Sequence, residues 1–311
     1  MNKEYYKKYE PIFGTWYIKD LIGEGSFGKV YTIERTDFGK TYKAALKVIT
    51  IPQNKSEIKS IMSEGMDEKS VTSYFKGIVN ELAGEFEIMS GMKGTSNVVS
   101  YEDHIVYEHK DEIGWDILIR MELLTPLVDY VSKNDISEYE TARLGIEICK
   151  ALELCKKHNI IHRDIKPENI FISENGDYKL GDFGIARKIE KTTGMLSKKG
   201  TESYMAPEVY RGEDYGASVD IYSLGMVLYR LMNKNRLPFM PPAPEMITHR
   251  EREIAIAKRM KGEKPSYPVS AGKKLSEIIL EFQSFCFFSK IVPNAITHFF
   301  IRCVIKIIRI T

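Results

Sequence analysis

Cysteine is scarce in this chain: 311 residues contain four, Cys149, Cys155, Cys286 and Cys303. None of their spacings matches a metal-ligand motif, which excludes the small zinc-stabilised modules. Cys149 and Cys155 are expected to pack as reduced thiols on a helix, as in the cytosol, so a cytoplasmic location is expected. No apolar core follows the amino-terminal residues 1–8, which argues against export. An uninterrupted apolar run of the ~20 residues that a spanning helix requires is also missing. Internal repeats and low-complexity linkers are absent. The net charge of +2 offers nothing to attract nucleic acid. Acidic residues are lacking in one place. Residues 282–311 hold no Asp or Glu, whereas the first 281 hold all 43, and 18 of those last 30 positions are apolar. Lys290, Arg302, Lys306 and Arg309 give this tail +4, leaving the body at −2.

What is present points to chemistry. A length of 311 residues with 43% apolar content can bury two cores. In the second third stands His162-Arg163-Asp164-Ile165-Lys166-Pro167-Glu168-Asn169, and eighteen residues after Asp164 comes Asp182-Phe183-Gly184. Moving a phosphoryl group from ATP to a hydroxyl needs a carboxylate to receive the hydroxyl proton, oxygen ligands for Mg²⁺ and positive charge against the moving phosphate. Asp164 is the candidate base, Asn169 and Asp182 are hard oxygen ligands suited to Mg²⁺, and Lys166 can reach the phosphate. Such residues also populate ordinary turns. The flanks decide against that: Ile160-Ile161, Ile170-Phe171-Ile172 and Tyr178-Lys179-Leu180 read as short strands that place the polar groups at their ends.

With these two motifs the chain resembles the protein kinase family over about residues 14–280. Gly23-Glu24-Gly25-Ser26-Phe27-Gly28 is a G-x-G-x-x-G element. Alone it could open a dinucleotide-binding unit, in which a helix would follow at once. Lys29-Val30-Tyr31-Thr32-Ile33 alternates instead, so the glycines are expected in a strand-turn-strand lid over ATP phosphates, with Ile22 and Val30 as further nucleotide contacts. Ala45-Leu46-Lys47-Val48 is similar to the family's lysine strand. Ala45 would line the adenine site and Lys47 would pair with the α- and β-phosphates; nearby Lys43 is a decoy, and Lys47 has the apolar neighbours on both sides that a partly buried strand requires. Glu85 falls where the family places the glutamate that holds this lysine, with Glu81 on the same helical face. The 37 residues between Lys47 and Glu85 leave room for an extra helical piece from Ile58 to Met66 and from Val71 to Phe75. By the same resemblance Met121 is the gatekeeper, and the backbone from Glu122 to Leu124 bonds the adenine. Asp129 is a candidate for the ribose.

Residues 139–157 read by their apolar spacing as an amphipathic helix leading to the catalytic loop; by resemblance 218–232 is the buried central helix of the large lobe, with Asp220 matching the aspartate that pins the catalytic-loop backbone. The activation segment would run from Asp182 to Ala206-Pro207-Glu208. Phosphate on Thr192, Thr193 or Ser197 would pair with Arg163 and order it. Lys166, and Thr201 after Gly200, match serine/threonine kinases rather than tyrosine kinases. Relatives pair the glutamate at Glu208 with an arginine that this tail does not offer in context; Arg302 sits between Phe299-Phe300-Ile301 and Cys303-Val304-Ile305. Three accounts of residues 282–311 stay open: a frameshifted or truncated gene product, a divergent helical cap, or an interfacial basic-apolar membrane attachment.

The expectation is therefore an α+β, two-lobed kinase domain over residues 1–281, with a β-rich N-lobe at about 14–121, a hinge at about 122–126 and a mainly helical C-lobe at about 127–281. It would transfer the ATP γ-phosphate to Ser or Thr of protein substrates, using Mg²⁺. A pseudokinase scaffold and a small-molecule phosphotransferase are the rivals. The sequence leaves the oligomeric state open.

Overall fold

A computed structural model of the chain describes residues 3–25, 28–92, 94, 97–183 and 201–289, apart from the side chains of Glu85, Ile88, Thr201 and residues 285–289. The chain divides into two compact units, the first running to Leu124 and the second beginning at Thr125. The first is β-rich and the second mainly helical, the two-lobed α+β arrangement expected.

The first unit begins with the short helix α1 (Lys3–Tyr6), followed by strands β1 (Tyr17–Gly25), β2 (Gly28–Asp37) and β3 (Lys40–Ile51). Next come helices α2 (Lys55–Ser63) and α3 (Glu68–Gly91) and strands β4 (Tyr101–Glu108) and β5 (Trp115–Met121). The strands form one antiparallel sheet in the order β1-β2-β3-β5-β4. Phe38 and Gly39, both at positive φ (44° and 72°), make the two-residue β2–β3 turn, whose twist matches that of paired strands. Because strand side chains alternate, each strand splits into two sets. Ala44, Leu46 and Val48 of β3 join Ile33, Tyr31 and Leu118 in a core that also takes in Tyr6, Ile12 and Trp16 from the amino-terminal segment. Ala45, Lys47 and Ile49 face the other way.

That amino-terminal segment, most of which precedes the stretch read as kinase-like, is integral to the unit. Ile12 is wholly buried, and burying such a side chain contributes on the order of 1.5–3 kcal/mol. A polar latch adds direction. Asp116 of β5, fully buried, accepts from Tyr9 Oη at 2.8 Å and from Thr50 Oγ1 at 2.6 Å, and lies 3.0 Å from His109 Nε2. Burial and the Asp116 carboxylate push the Tyr9 phenol far above its ordinary value.

Asn54 caps α2 by accepting from the amides of Ser56 and Glu57, and Asp67 caps α3 through Ser70. The extra helical piece expected from Ile58 is present as α2. Residues Val71 to Phe75, expected to belong to it, are instead the early turns of α3, the same helix that carries position 85. Asp67 starts that helix, and Val71, Phe75, Ile78 and Leu82 continue one buried stripe at helical spacing.

The second unit contains β6 (Thr125–Pro126), α4 (Leu127–Lys133), α5 (Glu138–Lys157), β7 (Ile170–Ile172), β8 (Tyr178–Leu180), α6 (Pro207–Tyr210), α7 (Ser218–Met232), α8 (His249–Met260) and α9 (Lys273–Ser289). A capping box between Ser137 and Glu140 starts α5. Almost every side chain of α7 is buried, as an apolar run of this kind requires. Helix α9 lies so close that a Cβ on Gly225 would come within 2.7 Å of Phe282 Cβ. The change of composition at Phe282 is thus not a structural boundary: it falls inside α9, and Phe282 is a buried core residue. The remainder of the tail, residues 290–311 with Arg302, lies outside the described residues. Among the described residues, no helix is long and apolar enough to cross a membrane.

Candidate active site

In the first unit, cross-strand register gathers one set of predicted residues onto a single face. Val30 of β2 pairs with Lys47 of β3, which pairs with Ile119 of β5; the adjacent row is Thr32, Ala45 and Met121. Lys47 is buried, whereas Lys43 is exposed and lies 3.4 Å from Glu34. A buried lysine flanked by apolar neighbours is suited to a phosphate rather than to water. Glu85 is on α3, and its side chain lies outside the described residues.

Gly23 pairs with Val30 and Gly25 with Gly28, so the glycines form a strand-turn-strand element, with Ser26 and Phe27 of the turn outside the described residues. Ile22 of β1 is exposed. Gly28 is obligatory. Its φ is +151°, and a Cβ there would sit 2.1 Å from the Val48 carbonyl oxygen, so β2 can approach β3 this closely only without a side chain. At the end of β5, Glu122 donates its N–H to Ser100 O at 3.1 Å and accepts from Ser100 N–H through Oε1 at 2.7 Å. Any hydrogen bond from Glu122 to a base therefore runs through its carbonyl. Leu124 closes this unit, and Asp129 lies in the first turn of α4 in the other.

The second unit assembles the carboxylate-bearing loop. The β7–β8 hairpin pairs Ile170 with Leu180, which brings Asn169 beside Gly181, whose N–H bonds Asn169 O at 3.0 Å. That closes the sequence gap between Asn169 and Asp182. Arg163 at φ +67° and Asp182 at φ +57° both hold left-handed backbone; such conformations persist only where the surroundings over-determine them. Asp220 does this for the first. From α7 it accepts the N–H of His162 at 2.8 Å and of Arg163 at 2.7 Å. Burial pushes the Asp220 carboxyl above its ordinary value, against the pull of His162 and of those two amides. His162, itself wholly buried, lies 2.9 Å from Gly181 O through Nε2, and its ring centroid is 5.0 Å from that of Phe183.

These supports leave Asp164 in an unusual state. Its Oδ2 accepts from Lys166 Nζ at 2.8 Å and from Asn169 Nδ2 at 2.9 Å, while Asn169 also holds the Asp164 main-chain carbonyl at 2.8 Å. Its Oδ1 is buried without a hydrogen-bond partner. A carboxylate fixed through one oxygen and open at the other is arranged to accept a proton from a third group. With Nδ2 turned to Asp164, Asn169 keeps its Oδ1 for another partner, and Asp182 follows Gly181. One carboxylate and one amide oxygen form the partial donor set of a hard divalent cation that completes its shell on phosphate oxygens. Among the described residues there is no cluster of three or more His, Cys, Asp or Glu that would form an all-protein metal cage.

The chain matches the protein kinase domain model over residues 16–289. It belongs to the protein kinase family. It is 33% identical over 228 residues to the carbon catabolite-derepressing protein kinase of Saccharomyces cerevisiae, covering 73% of this chain and 32% of that protein. It is 32% identical over 219 residues to serine/threonine-protein kinase TIO of Arabidopsis thaliana, covering 70% and 14%. Against serine/threonine-protein kinase shk2 of Schizosaccharomyces pombe it is 29% identical over 245 residues, covering 78% and 37%. The match thus spans between 14% and 37% of the length of those relatives.

The remaining positions divide. Thr192, Thr193, Ser197 and Gly184 lie outside the described residues, and Thr201 opens a 3-10 turn. Glu208 is buried in α6, and no described cation forms an ion pair with it. Arg163 has its Nε buried without a hydrogen-bond partner, and its guanidinium stands 5.6 Å from the Tyr215 ring. Sequence reasoning missed the ties of residues 202–204: Ser223 Oγ donates to Tyr204 O at 2.9 Å, Arg230 bonds Tyr204 Oη, and Arg259 reaches Ser203 O. Nothing in their spacing signals this, since Ser223 and Arg230 are single polar residues on an apolar helix and Arg259 is one of many charges on another.

Proposed function

We propose that this domain is an active serine/threonine protein kinase that uses ATP with Mg²⁺. The observation that carries the proposal is Asp164, held through Oδ2 by Lys166 and Asn169 with Oδ1 buried and without a hydrogen-bond partner. Asp164 orients an acceptor hydroxyl and takes its proton through Oδ1. Lys166 keeps that carboxylate in place and sets a positive charge beside the acceptor. Lys47 holds phosphate oxygens from its buried position in β3, next to the strand that Gly28 lets approach. Asn169 and Asp182 hold Mg²⁺. Met121, Ala45, Val30, Ile22 and the backbone of Glu122 and Leu124 receive the nucleotide's base. Bound ATP supplies the phosphoryl group, with the metal spreading its charge.

Lys166 and Thr201 support serine or threonine as acceptor, and the acceptor is a protein. Phosphate on Thr192, Thr193 or Ser197 regulates the domain, supported by the unpartnered Nε of Arg163, a geometry open to an anion. A cytoplasmic location is supported by Cys149 and Cys155, both buried in α5, with burial pushing the Cys155 thiol up to about 12. The test is ³²P transfer from labelled ATP to a generic basic protein, followed by phosphoamino-acid analysis. Label on serine and threonine is expected; label on tyrosine alone, or only on a small alcohol such as an aminoglycoside, would reverse the assignment.

A further inference from the structure

Among the described residues, Arg259 is the most deeply placed cation of the second unit that the chemistry above does not use. It sits in the last turn of α8, is almost wholly buried, and has no described carboxylate within ion-pair distance. Burial pulls its guanidinium below its ordinary value, partly offset by Tyr222 and Tyr204. An arginine in that position is costly to keep, and a methionine or leucine would fill the same space without the cost. What the guanidinium adds is direction. Its Nη1 donates to Ser203 O at 2.5 Å and lies 3.8 Å from Met226 Sδ, and its Nη2 donates to Glu202 O at 3.3 Å. Both carbonyls belong to the 3-10 turn Thr201–Ser203.

The same short segment is tied at two further points. Tyr204 gives its carbonyl to Ser223 at 2.9 Å and its hydroxyl to Arg230, both on α7. Three residues before Ser223, on the same helix, Asp220 holds the amides of His162 and Arg163, next to Asp164. One rigid helix therefore references both the base and residues 202–204, and Arg259 anchors the outer end of that segment from a second helix. A strand of chain fixed this way at a set offset from a proton acceptor can define where an acceptor substrate's own main chain rests.

We infer that Arg259 is a positioning residue for the protein acceptor: it fixes residues 202–204 as a preformed ledge, so that the hydroxyl arrives at Asp164 Oδ1. The inference rests on the kinase reading and deepens it. Arg259 is none of the residues assigned above to nucleotide or metal, so its effect is expected on the acceptor.

The test compares wild type, Arg259→Met and Arg259→Lys. Each is assayed for transfer to a serine peptide, for ATP hydrolysis to water without peptide, and for amide hydrogen exchange across residues 202–206. Arg259→Met is expected to raise the peptide KM at least tenfold, leave the KM for ATP and the hydrolysis rate within twofold, and speed exchange at 202–206. Arg259→Lys, which keeps a charge and one donor direction, is expected to recover part of the KM. Unchanged exchange at 202–206 in Arg259→Met overturns the inference whatever the activity, as does an equal fall in peptide transfer and ATP hydrolysis. Failure of the kinase reading is distinguished by its place: wild type itself then shows no transfer, which removes the positioning role as well.

Discussion

Replacing Asp220 by alanine removes the acceptor of two buried N–H groups, those of His162 and Arg163, at 2.8 and 2.7 Å. A buried donor left without a partner costs ~1–3 kcal/mol, so the pair sets a loss of about 2–6 kcal/mol. Relief of the buried Asp220 charge, whose carboxyl is already pushed upward by burial, offsets part of this; about 3 kcal/mol is the expected net. Asp220→Asn keeps one acceptor and presents an NH₂ to the other amide, so about half of that is expected. A domain of ordinary stability, ~5–15 kcal/mol, survives either change. The consequence for chemistry is larger. Arg163 is held at φ +67°, and without Asp220 that conformation relaxes and moves Asp164 next to it. The assays are urea denaturation followed by fluorescence, and peptide phosphorylation at saturating ATP. Both variants should unfold at lower urea with an unchanged slope, and kcat should fall at least tenfold while the KM for ATP holds. An Asp220→Ala protein with wild-type midpoint and wild-type kcat would refute the assignment of Asp220 as the support of the loop.

Two further changes probe other parts. Gly28→Ala puts a methyl 2.1 Å from Val48 O; β2 must part from β3, and nucleotide affinity measured by calorimetry should drop at least tenfold, whereas Gly25→Ala, whose added Cβ meets nothing within 4 Å, should change it far less. Ser137→Ala removes the hydroxyl that, together with the Ser137 amide, holds Glu140 below its ordinary 4.5, and leaves the amide in place. A depressed carboxylate contributes stability that is present above the unfolded value and lost as pH falls through the folded one. The melting-temperature gap between wild type and Ser137→Ala should therefore be full at pH 7 and narrow steadily below about pH 4.5; a gap that stays constant to pH 2.5 would contradict the capping-box account.

Much of this arrangement was legible because its signals are local. The helix over residues 139–157 and the strand around Lys47 follow from periodicity and apolar flanks, and Gly28 follows from the motif once the strand after it is recognised. The carboxylate loop was legible as a motif, although the state of Asp164, one oxygen held and one open, depends on hydrogen bonds that only folding creates. Other features carry no local signal. Tyr6, Ile12 and Trp16 lie in a stretch broken by Pro11 and Gly14 with no sustained strand or helix period, so their packing in one core with Leu46 and Leu118 is a tertiary fact. The break in composition at Phe282 suggested a boundary because charge pattern was weighed above helical continuity; Phe282 instead packs against Gly225 of α7. Arg259 reads as one more cation in a helix rich in charge, and only its burial marks it out.

The account turns on Asp164, and the most direct test is steady-state phosphorylation of a serine peptide by wild type and Asp164→Ala, with ATP affinity measured on both. A positioned general base contributes ~10²–10⁴-fold. The account predicts a fall in kcat within that range, an ATP affinity within threefold of wild type and an unchanged melting temperature. An Asp164→Ala protein that transfers phosphate within a few-fold of the wild-type rate would contradict it.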